Sequence, residues 1–211
     1  MKSYRRVLCI GCNFLCALLS LYSIATFFVR RGVGNMQVLG AVCFRYFTVD
    51  SNLFCASLCL VSAIWLLARP HARLTGALSR WKLAATTAVS VTLLTVMFFL
   101  GPTMGYRPMF AGVNLYLHLI CPLLAIVCWS FLDPLPPLPR RASFWGVLPT
   151  AIYAAVYLTL VIVRPTWPDF YGFNIGGKWY LSMIVMLLAT WLIALLLVRP
   201  VRKRACNLDS I

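Results

Sequence analysis

The sequence predicts an all-α polytopic membrane protein: one domain over residues 1–211, built as a bundle of six transmembrane helices with both termini cytoplasmic. Three observations lead there. Of the 211 residues, 62% are hydrophobic and only 11% charged, whereas soluble domains carry roughly 25% charged residues. The apolar residues fall in blocks of about twenty, the length that crosses a hydrocarbon core about 30 Å thick. Positive charge alternates between the gaps that separate the blocks, as it does across a membrane.

The blocks are 7–29, 41–68, 83–100, 113–132, 144–163 and 179–198. The first follows Lys2, Arg5 and Arg6, as a secretory signal would. Its apolar run of about 23 residues exceeds the 7–15 of a cleaved signal, so it is read as a spanning helix. Outer-membrane strands would be about ten residues long with alternating polarity. These blocks are longer and apolar all round, which requires helices. Pro70, Pro134, Pro136, Pro137 and Pro139 lie just past block ends, where they stop a helix. Gly172, Gly176 and Gly177 break the segment before the last block. No gap exceeds about 15 residues, too few for a soluble domain.

Orientation follows from Lys and Arg. Thirteen lie at the N-terminus, in the gaps after the second and fourth blocks (Arg69, Arg73, Arg80 and Lys82; Arg140 and Arg141) and in the tail. Five lie at the opposite ends: Arg30, Arg31, Arg107, Arg164 and Lys178. The net charge of +15 is therefore read as cytoplasmic loops against anionic lipid, with membrane lipids as partners and no nucleic acid. The expected location is the plasma membrane. Segments 30–40, 101–112 and 164–178 are expected to face outward. Cys206 in the tail is a candidate for palmitoylation.

The side-chain inventory excludes several chemistries. There is no glutamate, and the aspartates are Asp50, Asp133, Asp169 and Asp209, which argues against a paired-carboxylate glycosidase. His71 and His118 fall on opposite sides of the membrane, so they cannot share a zinc ion. No glycine-rich phosphate loop occurs. Cys9, Cys12 and Cys16 share a helix face, but packing as small hydrophobes is preferred to metal binding. No metal and no cofactor are expected.

Polar residues inside a membrane are costly and mark sites. One group is the run Arg45-Tyr-Phe-Thr48-Val-Asp50-Ser51-Asn52; another is Asn114 and His118, with Pro122 beyond them. Arg45, Thr48 and Asn52 have helical spacing, with Ser51 beside Thr48 and Asp50 pointing elsewhere. Pro122 should free the His118 carbonyl. From the block starts, Thr48 lies roughly 10 Å and His118 roughly 8 Å below the outer face, so the two can meet. A hydroxyl beside an imidazole is the minimum for nucleophilic catalysis: His118 takes the Thr48 proton and Thr48 attacks an ester carbonyl. Asn114, Asn52 or Ser51 would orient the base or bind the oxyanion. Arg45 is either an interfacial residue or a carboxylate anchor. Tyr171, Trp179 and Tyr180 read as an aromatic belt.

The run from Arg45 to Asn52 resembles the signature of a bacterial six-pass membrane family similar to the androgen-induced-gene and androgen-dependent TFPI-regulating proteins. Those are threonine hydrolases that cleave fatty acid esters of hydroxy fatty acids. The resemblance implies Thr48 as nucleophile, and His118 as base in an Asn-x-x-x-His segment with proline close behind. Their last outer loop carries a Tyr-Pro-Phe element, whose counterpart here is Trp167-Pro-Asp-Phe-Tyr171-Gly-Phe-Asn174. Two departures stand out: Gly172 replaces the proline, and the histidine-to-proline spacing differs by one. The implied substrate is a fatty acid ester. Two other functions stay open. One is a transporter or a lipid- or small-ligand-binding protein, with Arg45, Asp50, Asn52 and His118 in a polar cavity between the second and fourth helices. The other is an assembly partner in which these groups are packing glue. The sequence gives no oligomeric state.

Overall fold

The computed structural model of the chain describes residues 3–29 and 39–206, with side chains as far as Arg202. Lys2, Arg30, Arg31 and the side chains of Lys203, Arg204 and Cys206 lie outside the described residues. All regular structure among the described residues is helical. Five helices are long and apolar enough to cross a membrane: α1 (Ser3–Thr26), α2 (Phe47–Ala68), α3 (Gly76–Met104), α5 (Arg140–Val163) and α6 (Trp179–Arg202). A shorter apolar helix, α4 (Tyr116–Leu132), lies between α3 and α5.

Each helix follows from local chemistry; the last starts at Trp179 as expected, while other starts differ. The second was expected from 41. Gly40 takes a left-handed conformation at φ 54°, and its N–H reaches the Phe27 carbonyl at 2.8 Å. A separate 3-10 turn, Gly40–Arg45, then ends at an extended Tyr46, and α2 begins only at Phe47. Arg45 therefore does not share a helix face with Thr48 and Asn52. Thr48 sits in the first turn of α2, so its distance from the helix start is much less than 10 Å. The third helix starts at 76 rather than 83, because Thr75 caps it by accepting the Leu78 N–H at 3.2 Å. That start draws Lys82, expected in a basic loop, into the helix.

α3 is the axis of the bundle: 67% of its most apolar stretch is buried, against 17% for α5. Small residues let helices approach it. A Cβ on Gly146 of α5 would lie 2.5 Å from Ala194 Cβ on α6 and 2.8 Å from Thr87 Oγ1 on α3. At one end of the bundle, Arg5 donates to the Phe131 carbonyl, and Arg6 donates to the carbonyls of Leu66 and Arg69. These arginines satisfy helix C-terminal carbonyls, where a cation is favoured. This pairs the start of α1 with the ends of α2 and α4, so neighbouring helices alternate in direction.

Candidate functional site

At the other end of the bundle, where α1 finishes and α2 and α4 begin, lies a cavity of about 620 Å³. Thr48, His118, Asn114, Arg107, Tyr46 and Tyr171 supply its polar lining. Met104 and Pro108 on its rim are exposed. A second, narrower and almost wholly apolar space of about 40 Å³ adjoins it, walled by Val91, Val96, Met183 and Met186 among others. Thr48, Leu100 and Tyr171 line both spaces. Thr48 thus lines both the partly polar chamber and the apolar slot.

The Thr48 hydroxyl makes no hydrogen bond among the described residues. Many helical hydroxyls here bond back to the carbonyl four residues earlier, as Ser62, Thr87, Ser90 and Thr190 do. Thr48 has no such carbonyl, because it is the second residue of its helix. The helix N-terminus also places a positive potential beside it.

His118 is 7% exposed, and its Nδ1 lies 2.6 Å from the Met109 carbonyl oxygen. A carbonyl only accepts, so Nδ1 carries the hydrogen, and Nε2 of the neutral ring keeps a free lone pair. The ring is presented by a π-turn, Tyr116–Ile120, in which the Cys121 N–H bonds to the Tyr116 carbonyl five residues back. In that wider register the next donor would be Pro122, which has no N–H. The orphaned carbonyl is therefore that of Leu117, not His118 as the α-helical spacing suggested. Asn52 Nδ2 fills the vacancy at 3.0 Å while also donating to the Thr48 carbonyl at 2.8 Å. One amide thereby ties the Thr48 turn to the His118 turn.

The remaining sequence candidates divide. Asn114 lines the cavity and donates to the Pro108 carbonyl at 3.2 Å. Ser51 and Asn52 are buried behind it, and Ser51 shares a 2.9 Å hydrogen bond with Thr92. Neither contributes to the cavity wall. Arg45 also lies off the wall; its guanidinium sits 5.7 Å from the centre of the Trp167 ring. Asp50 is half-buried in the first turn of α2.

Arg107, in the sequence one basic residue of an outward segment with no cue to a site, lines the cavity. Sequence reasoning also took Tyr171 for an interfacial aromatic. The loop that carries Tyr171 is organised by Asp169, which accepts from Tyr157 OH at 2.7 Å and from the N–H groups of Phe173 and Asn174 at 2.9 and 2.8 Å. So held, Tyr171 OH accepts the Phe47 N–H at 3.1 Å, capping the first turn of α2. Burial pushes the Tyr171 phenol up to about 12, so it stays protonated and can donate into the cavity.

A second buried polar group lies at the opposite, arginine-capped end. Lys82 Nζ meets Asp133 Oδ2 at 2.8 Å, with both side chains essentially unexposed. Asn13 Oδ1 accepts from Lys82 at 2.6 Å, and Cys9 Sγ lies 3.3 Å from Asp133 Oδ1. Both charged residues had been assigned to loops.

The chain matches no family model, no curated protein and no solved structure. The fold and the cavity define its class: a helical protein with several apolar helices suited to a membrane and a partly polar chamber at one end of the bundle.

Proposed function

We propose that the chain is an intramembrane hydrolase of lipid or fatty acid esters, with Thr48 as nucleophile and His118 as general base. The observation that carries this reading is one cavity lined by both residues, with the Thr48 hydroxyl unbonded among the described residues and His118 Nδ1 engaged by the Met109 carbonyl, which leaves Nε2 to act as base. The cavity's mainly apolar wall, with Phe27, Leu39, Leu100 and Leu117, suits an acyl chain, and Arg107 suits an anionic part of the substrate. Nε2 takes the Thr48 proton as Oγ1 bonds to the ester carbonyl carbon. The protonated imidazole then returns that proton to the departing alkoxide, leaving an acyl-threonine. Water, deprotonated by the same nitrogen, cleaves the acyl-threonine to a carboxylic acid and restores the hydroxyl. The Tyr171 phenol is a donor for the oxyanion. The bundle is set in the plasma membrane with six crossings, α4 included, and both termini in the cytoplasm.

The test is covalent labelling by a fluorophosphonate in membranes holding wild type, Thr48→Ala or His118→Ala, with folding checked by thermal unfolding. Labelling should vanish in Thr48→Ala and fall by about a hundredfold in His118→Ala. Equal labelling of folded Thr48→Ala would overturn the mechanism. The same cavity also supports a second reading, ligand binding without chemistry. In that case fatty acid esters would raise the melting temperature of wild type and Thr48→Ala alike, with no ester cleavage by either.

A further inference from the structure

We propose that Cys16, Cys55 and Cys59 form a three-sulfur site for copper(I) in the interior of the bundle. Sequence reasoning grouped Cys16 with Cys9 and Cys12 along α1 and favoured packing. The structure instead sets Cys16 against Cys55 and Cys59, which lie one turn apart on α2. All three are buried, at 0%, 2% and 0% exposure. Their sulfur atoms lie within 4.8 Å of one another, and those of Cys55 and Cys59 are 4.0 Å apart.

The spacing fits coordination. Metal–thiolate bonds of about 2.3 Å directed to the corners of a triangle place the sulfurs about 4.0 Å apart. A disulfide would need about 2.05 Å, and simple packing does not require three thiols to converge on one point. Ligand type then selects the ion. Thiolates favour copper(I) and zinc, and structural zinc takes four ligands. Among the described residues these three sulfurs lie mutually within 4.8 Å, with no imidazole or carboxylate in the group; the Cys121 thiol on α4 packs against Cys16 but does not join the three. Copper(I), which is satisfied by two or three thiolates, is the better match.

Further thiols lie nearer the arginine-capped end. Cys9, Cys12 and Cys128 occupy the same seam between α1, α2 and α4, with Cys9 beside Asp133. Each thiol that binds as thiolate releases its proton, and copper stays in the +1 state throughout.

Purified full-length protein, reduced and kept anaerobic, is titrated with copper(I) against a chromophoric chelator. Wild type should take up one tightly held ion, with sulfur-only coordination in X-ray absorption. Cys16→Ser, Cys55→Ser and Cys59→Ser should each weaken uptake by about tenfold or more. Cys43→Ser, a buried thiol in the 3-10 turn before α2, should leave uptake unchanged. Because a buried serine hydroxyl can unfold the bundle, the alanine counterparts are run in parallel, and metal-free melting temperatures identify the folded variants. Copper uptake equal in wild type and in a folded triple alanine variant would overturn the site. Uptake of zinc with none of copper would do so as well.

Discussion

At the scale of single residues, burial decides what a charge does. Lys82 and Asp133 are each 1% exposed, so solvent does not screen them, and their attraction must offset the desolvation of two ions. It does so with help: Asn13 accepts from Lys82 and donates to Asp133 at 3.2 Å. Removing one partner of such a pair strands the other and costs about 3–5 kcal/mol, whereas replacing both with apolar groups is often neutral. Lys82→Met should therefore lower the melting temperature sharply in detergent. Lys82→Met combined with Asp133→Leu should recover most of the loss. A double variant no more stable than the single one would show that Lys82 acts by something other than pairing with Asp133. The sequence made Thr48 and His118 legible, because a hydroxyl and an imidazole stand out in apolar blocks. It hid Lys82 and Asp133, because each sits where a block gives way to a basic or Pro-rich gap. A cue was present in Thr75-Gly76, an N-cap that starts the helix a turn and a half before Lys82.

At the scale of elements, the apolar blocks marked the helices but not their joints. Hydropathy does not distinguish a 3-10 turn from an α-helix, so Gly40–Arg45 merged with α2 and Thr48 was placed too deep. Nor does it register π-turns. The one at Tyr116–Ile120 moved the orphaned carbonyl by a residue, and a side chain from another helix, Asn52, answers it. Close crossings are likewise invisible, since Gly146 reads as one more small residue. In the structure it lets α5 meet α3 and α6 at one point. Even a single added carbon would stand 2.5 Å from Ala194 Cβ, so the helices must separate. Gly146→Val should cost about 1–3 kcal/mol, the usual penalty for overpacking, seen as a lower melting temperature. Gly11, with nothing within 4 Å of an added Cβ, is the matching control, and Gly11→Ala should be tolerated. If both variants melted alike, the α3–α5–α6 contact would not be limiting stability.

At the scale of the whole molecule, α4 decides the topology. If all six helices cross, the termini share a side; if α4 does not, they lie on opposite sides. Its 17 residues extend only about 25 Å, at the short limit for a span. Yet its end lies with the start of α1, through Arg5 and the Phe131 carbonyl, and its beginning lies by the cavity, where Met109 meets His118. It therefore runs the same course as the longer helices beside it. Arg5, Arg6 and Arg69 gather at the first of these ends, the end that the proposed orientation puts in the cytoplasm. Arg107 and the cavity then face outward. A reporter that becomes active only outside the cytoplasm should be silent when fused after residue 211 and active when inserted at Gly105. A fluorescent protein that folds only inside should report the reverse. An active outer reporter at the C-terminus would remove α4 from the membrane or invert the bundle. The Gly105 insertion separates these: it stays active if only α4 is lost and falls silent if the bundle is inverted.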